Sequence, residues 1–231
     1  MLDFTQFRAI TFDCYGTLVD WESGIFGALR PVLAAHDRNI SDERLLELYA
    51  EFEGTAQQGE YRRYRDVLRS VVQSYGQRLK FTPSDEEIDS LAESVPRWKP
   101  FPDTVAALKR LAERYRLFII SNIDDDLFAA TRKHLGIDFD GVVTAEQARS
   151  YKPSINNFKL ALEKLRLPVQ QVLHAGQSVF HDVLPARSLG MKTVWVNRPS
   201  PRPNAGAARA AAGTPDLEVK SMAELAALAV D

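Results

Sequence analysis

The hydrophobic and polar positions divide this chain into two kinds of region. Near the N-terminus, the short apolar run Ile10–Phe12 leads directly into Asp13 and a Gly-Thr turn. This pattern predicts a strand whose carboxyl end carries an aspartate. From Ile25 to Val72 apolar residues recur at helical spacing, and no strand pattern appears between about residues 19 and 98. The first strand is therefore predicted to be followed by a long, entirely helical stretch.

Two serine residues mark predicted helix starts inside this stretch. Ser41 precedes an acidic pair and is typical of a helix N-cap. Ser84 is followed three residues later by Glu87, which is the spacing of a capping box. We expect a helix to begin after each serine, the second one ending near Ser94.

Strands and helices alternate from Asp103 onward. The predicted strands cover residues 116–120, 141–143, 172–175 and 193–196. The predicted helices cover residues 105–112, 127–135, 155–165 and 183–189, with Pro153 in the first turn of the third. Residues 199–214 are predicted to form a loop, and the tail to end in a helix near Leu228. Such alternation predicts an α/β fold with a parallel sheet and right-handed crossovers.

Composition narrows the class of protein. The 231 residues are 45% hydrophobic, enough for a full core or for one core with a small accessory domain. The net charge of -2 provides no basic surface for nucleic acid, and no apolar run is long enough to span a bilayer. The single cysteine, Cys14, excludes a disulfide framework, and no signal-peptide pattern is present. These features predict a cytoplasmic enzyme with no nucleic-acid or membrane partner.

Polar residues follow the predicted strands at the sheet edge where α/β folds bind ligands. Asp13 is the candidate nucleophile, although Asp and Gly also form ordinary strand-end turns. Lys152 could pair with Asp13 and lower its pKa, or it could be a solvated surface lysine. The Ser121 hydroxyl and the next backbone N–H groups could hold an acid group, or Ser121 could cap the following helix.

Other charged residues near this edge have simpler explanations. Asp124, Asp125 and Asp126 stand at the start of a predicted helix, where the helix dipole favours negative charge. We interpret them as structural. His181 lies in a helix-start segment, and we interpret it as a capping or packing residue.

Four ordered segments resemble the signature motifs of the haloacid dehalogenase superfamily. They are Asp13-Cys14-Tyr15-Gly16-Thr17, Ile119-Ile120-Ser121-Asn122, Ser150-Tyr151-Lys152-Pro153 and Ala175-Gly176-Gln177-Ser178-Val179-Phe180-His181-Asp182. The first is most similar to the branch of the L-2-haloacid dehalogenases. The resemblance covers residues 8–198 and implies a Rossmann-like core, residues 1–18 and 99–231, with an inserted helical cap, residues 19–98.

The resemblance also implies roles for individual residues. Asp13 would be the nucleophile that forms a covalent ester, Lys152 would orient it, and Asp182 would help water to cleave the ester. The residues implied to contact the substrate are Tyr15, Thr17, Ser121, Asn122 and Ser178. The implied substrate is a small anionic molecule, a 2-haloalkanoic acid.

One departure from this branch concerns the halide. L-2-haloacid dehalogenases place an arginine early in the second cap helix, where an ungapped alignment puts Ala50 in this chain. The next cap helix offers other guanidinium groups as hosts for a leaving anion, those of Arg62, Arg63 and Arg65. The alternative is a solvated charged face.

Two further departures concern metal binding. Phosphatases of the superfamily carry acids where Tyr15 and Gln177 stand here, so that Asp13 and Asp182 would be the remaining anionic ligands for Mg²⁺. Tyrosine has an ordinary pKa near 10 and is a poor general acid at neutral pH, whereas a departing halide needs no proton. We therefore predict a dehalogenase without a cofactor. The alternatives are a Mg²⁺-dependent phosphatase of a small metabolite and a non-catalytic ligand-binding protein, and a homodimer is left open.

Overall fold

A six-stranded parallel sheet organises the computed structural model, which describes residues 2–230. Its spatial order is β3-β2-β1-β4-β5-β6, so β1 lies between β2 and β4. The strands are β1 Ala9–Phe12, β2 Arg116–Ser121, β3 Gly141–Thr144, β4 Val172–Gly176, β5 Lys192–Val196 and β6 Leu217–Val219. The connections reverse direction beside β1, and ligands of α/β folds bind outside the carboxyl ends of strands at such a point.

The described residues contain ten α-helices. They are α1 Trp21–Ala35, α2 Asp42–Ala56, α3 Tyr64–Leu79, α4 Asp85–Ser94, α5 Thr104–Ala112, α6 Asp125–Leu135, α7 Ala145–Ala148, α8 Ile155–Leu165, α9 Leu184–Ser188 and α10 Met222–Val230. A π-helical turn, Val179–Val183, precedes α9. None of the helices in residues 2–230 combines the length and the apolarity needed to cross a membrane.

Helices α1 to α4 follow one another between β1 and β2, and we call them the helical region. Both predicted caps are confirmed there. The Ser41 hydroxyl accepts a hydrogen bond from the backbone of Arg44, and both halves of the Ser84–Glu87 capping box are formed. These caps satisfy backbone N–H groups that have no partner inside the helix.

The sheet is buried on both faces, as the predicted α/β fold requires. Alternate residues of β2 belong to two different apolar clusters, Leu117 and Ile119 to one, Phe118 and Ile120 to the other. Because successive side chains of a strand point to opposite faces, apolar groups must cover both sides of the sheet. The predicted fold class is therefore confirmed.

Three local details differ from the prediction. Pro153 lies outside α8, whose N-cap is Ser154. The helix predicted at 183–189 is preceded by the π-helical turn, so the helical path begins earlier. Strand β6 was not predicted, because three residues are too few to show an alternating pattern.

The chain crosses between the sheet and the helical region at two neighbouring segments. Backbone hydrogen bonds join them, from Asp20 N to Lys99 O (2.9 Å) and from Phe101 N to Leu18 O (3.0 Å). The division of the chain into a core and a cap at residues 18/19 and 98/99 stays a prediction.

Candidate active site

A small cavity of about 30 Å³ lies between the carboxyl edge of the sheet and the helical region. The residues that line it are Asp13, Tyr15, Trp21, Glu53, Tyr64, Ser121, Asn122, Lys152, Gln177, Ser178, His181, Asp182 and Ala208. A larger groove of about 820 Å³ beside α1 and α4 contains none of the polar groups at the strand ends. Because the charged and polar side chains at the strand ends line the smaller cavity, we place the candidate site there.

Asp13 follows β1 and is held by two side chains. Lys152 Nζ donates to Asp13 Oδ1 (2.8 Å), and Thr17 Oγ1 donates to Asp13 Oδ2 (2.8 Å). Thr17 in turn accepts a hydrogen bond from Gln177 N (2.8 Å). Thr17, which was predicted to contact the substrate, is fully buried and does not line the cavity. In the structure it orients the carboxylate of Asp13 instead.

Lys152 is buried, with only 1% of its surface exposed, and its ammonium group is fully hydrogen-bonded. Besides Asp13, its Nζ donates to Asp182 Oδ1 (2.7 Å) and to Ile120 O (2.9 Å). Three protons thus have three acceptors, which a buried ammonium group requires. The solvated alternative for Lys152 is wrong.

The charges of this cluster depend on one another. Two effects act on the pKa of Asp13: burial raises it, and the nearby Lys152 lowers it, as the sequence suggested. The effect of burial is the larger one, so the pKa of Asp13 is raised. Burial alone would lower the pKa of Lys152, but the two carboxylates raise it, so the ammonium form is retained. Burial likewise opposes ionisation of Asp182, yet Lys152 and His174 hold its pKa well below the usual range. Asp182 is therefore the partner of Lys152 that is ionised at neutral pH.

Asp182 has further contacts that sequence reasoning missed. The ring atom His174 Nε2 lies 3.3 Å from Asp182 Oδ1, and Ser178 N donates to Asp182 Oδ2 (3.2 Å). A Cβ on Gly176 would lie 2.5 Å from Asp182 Cγ, so only glycine leaves room for this carboxylate. The available signal for His174 was a polar residue inside an apolar strand, opposite Thr11 in the register.

The side chains of Ser121 and Asn122 differ in their hydrogen bonding. Ser121 Oγ is buried, lines the cavity and has no hydrogen-bond partner within residues 2–230. The amide of Asn122 donates to Lys152 O (3.1 Å) and accepts from Lys152 N (2.7 Å). Ser121 is thus free to bind a ligand, whereas Asn122 anchors the backbone of Lys152.

Tyr15 contributes its ring to the cavity wall, but its hydroxyl is engaged elsewhere. The hydroxyl lies 2.7 Å from Thr131 Oγ1 in α6. Burial raises the pKa of Tyr15 well above its ordinary value. No proton donor with a pKa near neutrality therefore stands at this position, in agreement with the interpretation of the sequence.

Ser178 caps the π-helical turn, and His181 is more than the capping residue that the sequence indicated. The backbone N–H of His181 donates to Ser178 Oγ (3.0 Å), and its Nδ1 lies 3.1 Å from the same oxygen. The His181 ring also lines the cavity. Burial lowers the pKa of His181 to about 4, so the ring is neutral at pH 7.

None of the three arginines proposed as halide hosts lines the cavity. Arg62 donates to Ala56 O (3.0 Å), while Arg63 and Arg65 each donate to Asp126 (3.0 Å). The acidic N-terminus of α6 attracts the last two, because it faces the start of α3 across the boundary with the helical region. In this geometry none of the three reaches the cavity, so the structure gives no support to the prediction that Arg62, Arg63 or Arg65 receives the halide.

The helical region instead supplies Trp21, Glu53 and Tyr64 to the cavity. Glu53 accepts a hydrogen bond from the Tyr64 hydroxyl at Oε1 (2.6 Å). Burial raises the pKa of Glu53 to about 7. Sequence reasoning missed Glu53, although it stands four residues after Tyr49 on the apolar face of α2, where an acid is unusual.

The donor set does not fit Mg²⁺. Lys152 Nζ stands between Asp13 and Asp182, the two carboxylates named as ligands in that alternative. The Gln177 amide donates to Ala205 O (2.9 Å). Within residues 2–230, no group of three or more His, Cys, Asp or Glu side chains is arranged to hold a metal ion. We derive no step through a metal.

A parallel sheet with a buried lysine between two carboxylates at its carboxyl edge defines an α/β protein with a candidate active site where such folds bind their ligands. Residues 7–190 match the family described as haloacid dehalogenase-like hydrolase. The chain therefore belongs to this family of hydrolases, which confirms the resemblance of its four motifs.

Proteins similar to this chain include some named as dehalogenases and one named as a phosphatase. The chain is 27% identical to haloacetate dehalogenase H-2 of Moraxella sp., over 84% of this chain and 87% of that protein. It is 29% identical to the 5-amino-6-(5-phospho-D-ribitylamino)uracil phosphatase YigB of Escherichia coli, over 83% of this chain and 84% of that protein. The solved L-2-haloacid dehalogenase of Xanthobacter autotrophicus has the same fold, with a TM-score of 0.79, 23% identity and coverage of 96% and 98% of the two chains.

Proposed function

We propose that this protein hydrolyses the carbon–halogen bond of small 2-haloalkanoic acids through an ester on Asp13. The observation that carries the proposal is the carboxylate of Asp13, which faces the cavity while Lys152 and Thr17 each hold one of its oxygens. Held in this way, the carboxylate keeps the orientation that an in-line displacement needs. The Tyr15 hydroxyl is bonded to Thr131, so no acid for an oxygen leaving group stands there.

In the first step, an oxygen of Asp13 would attack the α-carbon and form a C–O bond. The C–halogen bond breaks at the same time, and the halide leaves with the bonding electrons. The attack inverts the configuration of the α-carbon. Ser121 Oγ, which has no partner within residues 2–230, would donate a hydrogen bond to the carboxylate of the substrate.

In the second step, water would attack the ester carbon of Asp13 and the bond from this carbon to the substrate oxygen would break. One proton of the water passes to the departing oxygen, which gives the 2-hydroxy acid, and the other is released to solvent as Asp13 returns to its carboxylate form. Lys152 Nζ, close to Asp13 Oδ1, would stabilise the negative charge that develops on the ester oxygen. Asp182 would help to orient and polarise the water. Within residues 2–230, its Oδ2 accepts a single 3.2 Å hydrogen bond and so retains a lone pair for this contact.

Halide release from L-2-chloropropionate in the presence of EDTA tests the proposal. We expect release by the wild type and none by Asp13→Asn, because an amide cannot replace the nucleophile. A single turnover in ¹⁸O-labelled water should transfer one heavy oxygen to the peptide that contains Asp13. Absence of release, together with Mg²⁺-dependent hydrolysis of a phosphate ester, would establish the phosphatase alternative.

Ser121→Ala should separate substrate binding from stability. Loss of a hydrogen bond to a charged acid group corresponds to about 1.5–3 kcal/mol, so kcat/KM should fall by about 10- to 100-fold. The stability should change by less than about 0.5 kcal/mol, because the Ser121 hydroxyl makes no hydrogen bond to another group of residues 2–230. Steady-state kinetics and urea unfolding measure the two quantities.

Ser94→Ala is the matched control for this experiment. Ser94 is also buried, but its hydroxyl donates to Leu91 O (2.7 Å) and accepts from Trp98 Nε1 (2.9 Å). This variant should lose stability and retain the wild-type kinetics. A loss of stability in Ser121→Ala as large as that in Ser94→Ala would argue for a structural role of Ser121.

A further inference from the structure

Glu53 is an acidic residue without a cationic partner, and it lines the cavity on the side of the helical region. Its exposed fraction is 5%. The one hydrogen bond that it receives comes from the neutral Tyr64 hydroxyl, and no ion pair to it is formed within residues 2–230. A buried carboxyl group without a counter-charge favours its protonated form. The structure therefore provides an O–H donor in the cavity wall.

The position of Glu53 relates it to the leaving group of the proposed reaction. Asp13, Ser121 and Lys152 approach the cavity from the sheet edge, whereas Glu53 in α2 approaches it from the helical region. In an in-line displacement the leaving group departs on the side opposite the attacking oxygen. A halide displaced by Asp13 would consequently move away from the sheet, towards the side that Glu53 lines.

The charges around the cavity make a donor on that side necessary. Asp13 and Asp182 carry negative charge, and Lys152 provides one positive charge that both carboxylates already share. His181 is neutral at pH 7. No arginine of residues 2–230 lines the cavity. Once the Asp13 oxygen has formed the ester, Asp13 is neutral and Lys152 balances Asp182, while the substrate still carries its own carboxylate. The departing halide then has no cation to receive it and depends on a neutral hydrogen-bond donor.

We propose that Glu53, in its protonated form, donates a hydrogen bond to the departing halide and so replaces a cationic halide host. This inference rests on the proposed function. During displacement the Asp13 oxygen forms its bond to carbon, and the halide takes the electron pair of the broken bond. Glu53 keeps its proton and shares it with the halide. Protonated Glu53 would then define the halide end of the cavity.

The surroundings of Glu53 support a change of protonation near neutrality. Burial raises its pKa to about 7 from an ordinary value of 4.5; the Tyr64 hydrogen bond lowers this pKa, and the charge of Asp13 raises it. The tyrosines near it stay neutral in this range, because burial raises the pKa of each: Tyr49, Tyr64 and Tyr151. The other titratable groups that line the cavity are Asp13, Tyr15, Lys152, His181 and Asp182.

Two substitutions of Glu53 test the inference through the pH profile of halide release. The wild-type kcat/KM should fall above pH 7, by about tenfold per pH unit, as the donor is lost. Glu53→Gln keeps an N–H donor that does not titrate, and its profile should lack this alkaline fall. Glu53→Ala should be slow at every pH. Equal effects of both variants, with the alkaline fall unchanged, would show a merely structural role and overturn the inference.

Bromide binding provides a readout that does not depend on turnover. Trp21 lines the cavity, so bromide there should quench its fluorescence, with Trp21→Phe as the control for the other tryptophans. We expect bromide to bind the wild type about 30-fold more tightly at pH 6 than at pH 8.5, and Glu53→Gln to show no such difference. If no substrate releases halide but this pH dependence is found, the proposed function fails and the donor role of Glu53 remains. Bromide binding that is absent or independent of pH would overturn the inference.

Thermal unfolding checks the protonation itself. A carboxyl group whose pKa is higher in the folded than in the unfolded protein stabilises the fold fully at a pH below its unfolded pKa. This contribution is lost as the pH rises through the pKa of the folded state. For Glu53 the loss falls between about pH 4.5 and about pH 7. The Tm of Glu53→Gln relative to the wild type should therefore rise by a few degrees between pH 5 and pH 8. A constant difference in Tm would show that Glu53 does not titrate in this window, which contradicts the inference.

Discussion

Lys152→Met is expected to lower both the rate of hydrolysis and the stability of the fold. The substitution leaves Asp13 and Asp182 buried near each other without the cation whose Nζ lies 2.8 Å and 2.7 Å from them. Removal of one partner from a buried ionic group costs about 3–5 kcal/mol. The lost stabilisation of the ester oxygen should also lower kcat/KM by about 10²- to 10³-fold. Urea unfolding and halide release measure the two effects.

The pH dependence of the Lys152→Met variant should identify the cause. In the wild type, Lys152 and His174 lower the pKa of Asp182, against the effect of burial, so this stabilising contribution is lost as the pH falls towards and below the ordinary value of 3.8. In the variant, burial would raise the pKa of the carboxylates, and stability would be lost as the pH rises. The difference in stability should therefore shrink at acidic pH. A difference that is constant with pH would point to lost packing instead.

Lys164→Met is the control for this experiment. Its ammonium group donates two hydrogen bonds, to Val142 O (3.1 Å) and Gln147 Oε1 (2.7 Å), compared with three from Lys152, but Lys164 is exposed. Solvent replaces such contacts at little cost, so a change below about 1 kcal/mol is expected. Equal losses in the two variants would contradict the importance of the buried cluster.

Asp124→Ala should weaken the attachment of the helical region to the sheet. Asp124 is fully buried at the start of α6 and accepts hydrogen bonds from Tyr64 N (2.8 Å) and Arg65 N (3.0 Å), the first turn of α3. Its carboxylate thus binds backbone N–H groups at a helix N-terminus, where negative charge is favoured. Loss of two hydrogen bonds to a charged group should cost about 3–5 kcal/mol.

Catalysis should suffer in the same variant, because Tyr64 lines the cavity and binds Glu53. Urea unfolding and kcat/KM are the measurements. Asp126→Ala provides the comparison, since Asp126 contacts Arg63 and Arg65 with half of its side chain exposed, 51%. Such an exposed pair contributes at most about 1 kcal/mol. The interpretation would be wrong if Asp126→Ala were the more damaging substitution.

Much of the fold could be predicted because its signals are local. The strand that ends on Asp13, the capping box at Ser84 and the helix that stops at Gly136 all depend on residues a few positions apart. Spacing along the chain is sufficient to determine such elements. The weaker cases are short ones, such as β6 and α7, in which three or four residues carry no period.

The candidate site could be predicted only in part. The ordered motifs indicated Asp13, Lys152 and Asp182, and the structure brings all three together. The motifs also contain the neighbours Thr17 and Asn122, but the roles of these two residues depend on tertiary contacts that a motif does not describe. Thr17 orients Asp13, and Asn122 anchors the backbone of Lys152, although both were expected to contact the substrate.

The sequence by itself determined the family, the parallel sheet and the three charged groups at its edge, since each depends on short patterns in a known order. Only the tertiary structure decided which helical side chains complete the cavity. Glu53 meets Tyr64 from another helix and faces the sheet edge that carries Asp13, while the acids of α6 draw Arg63 and Arg65 away. Such contacts join residues far apart in the chain, and they depend on how whole elements pack against one another.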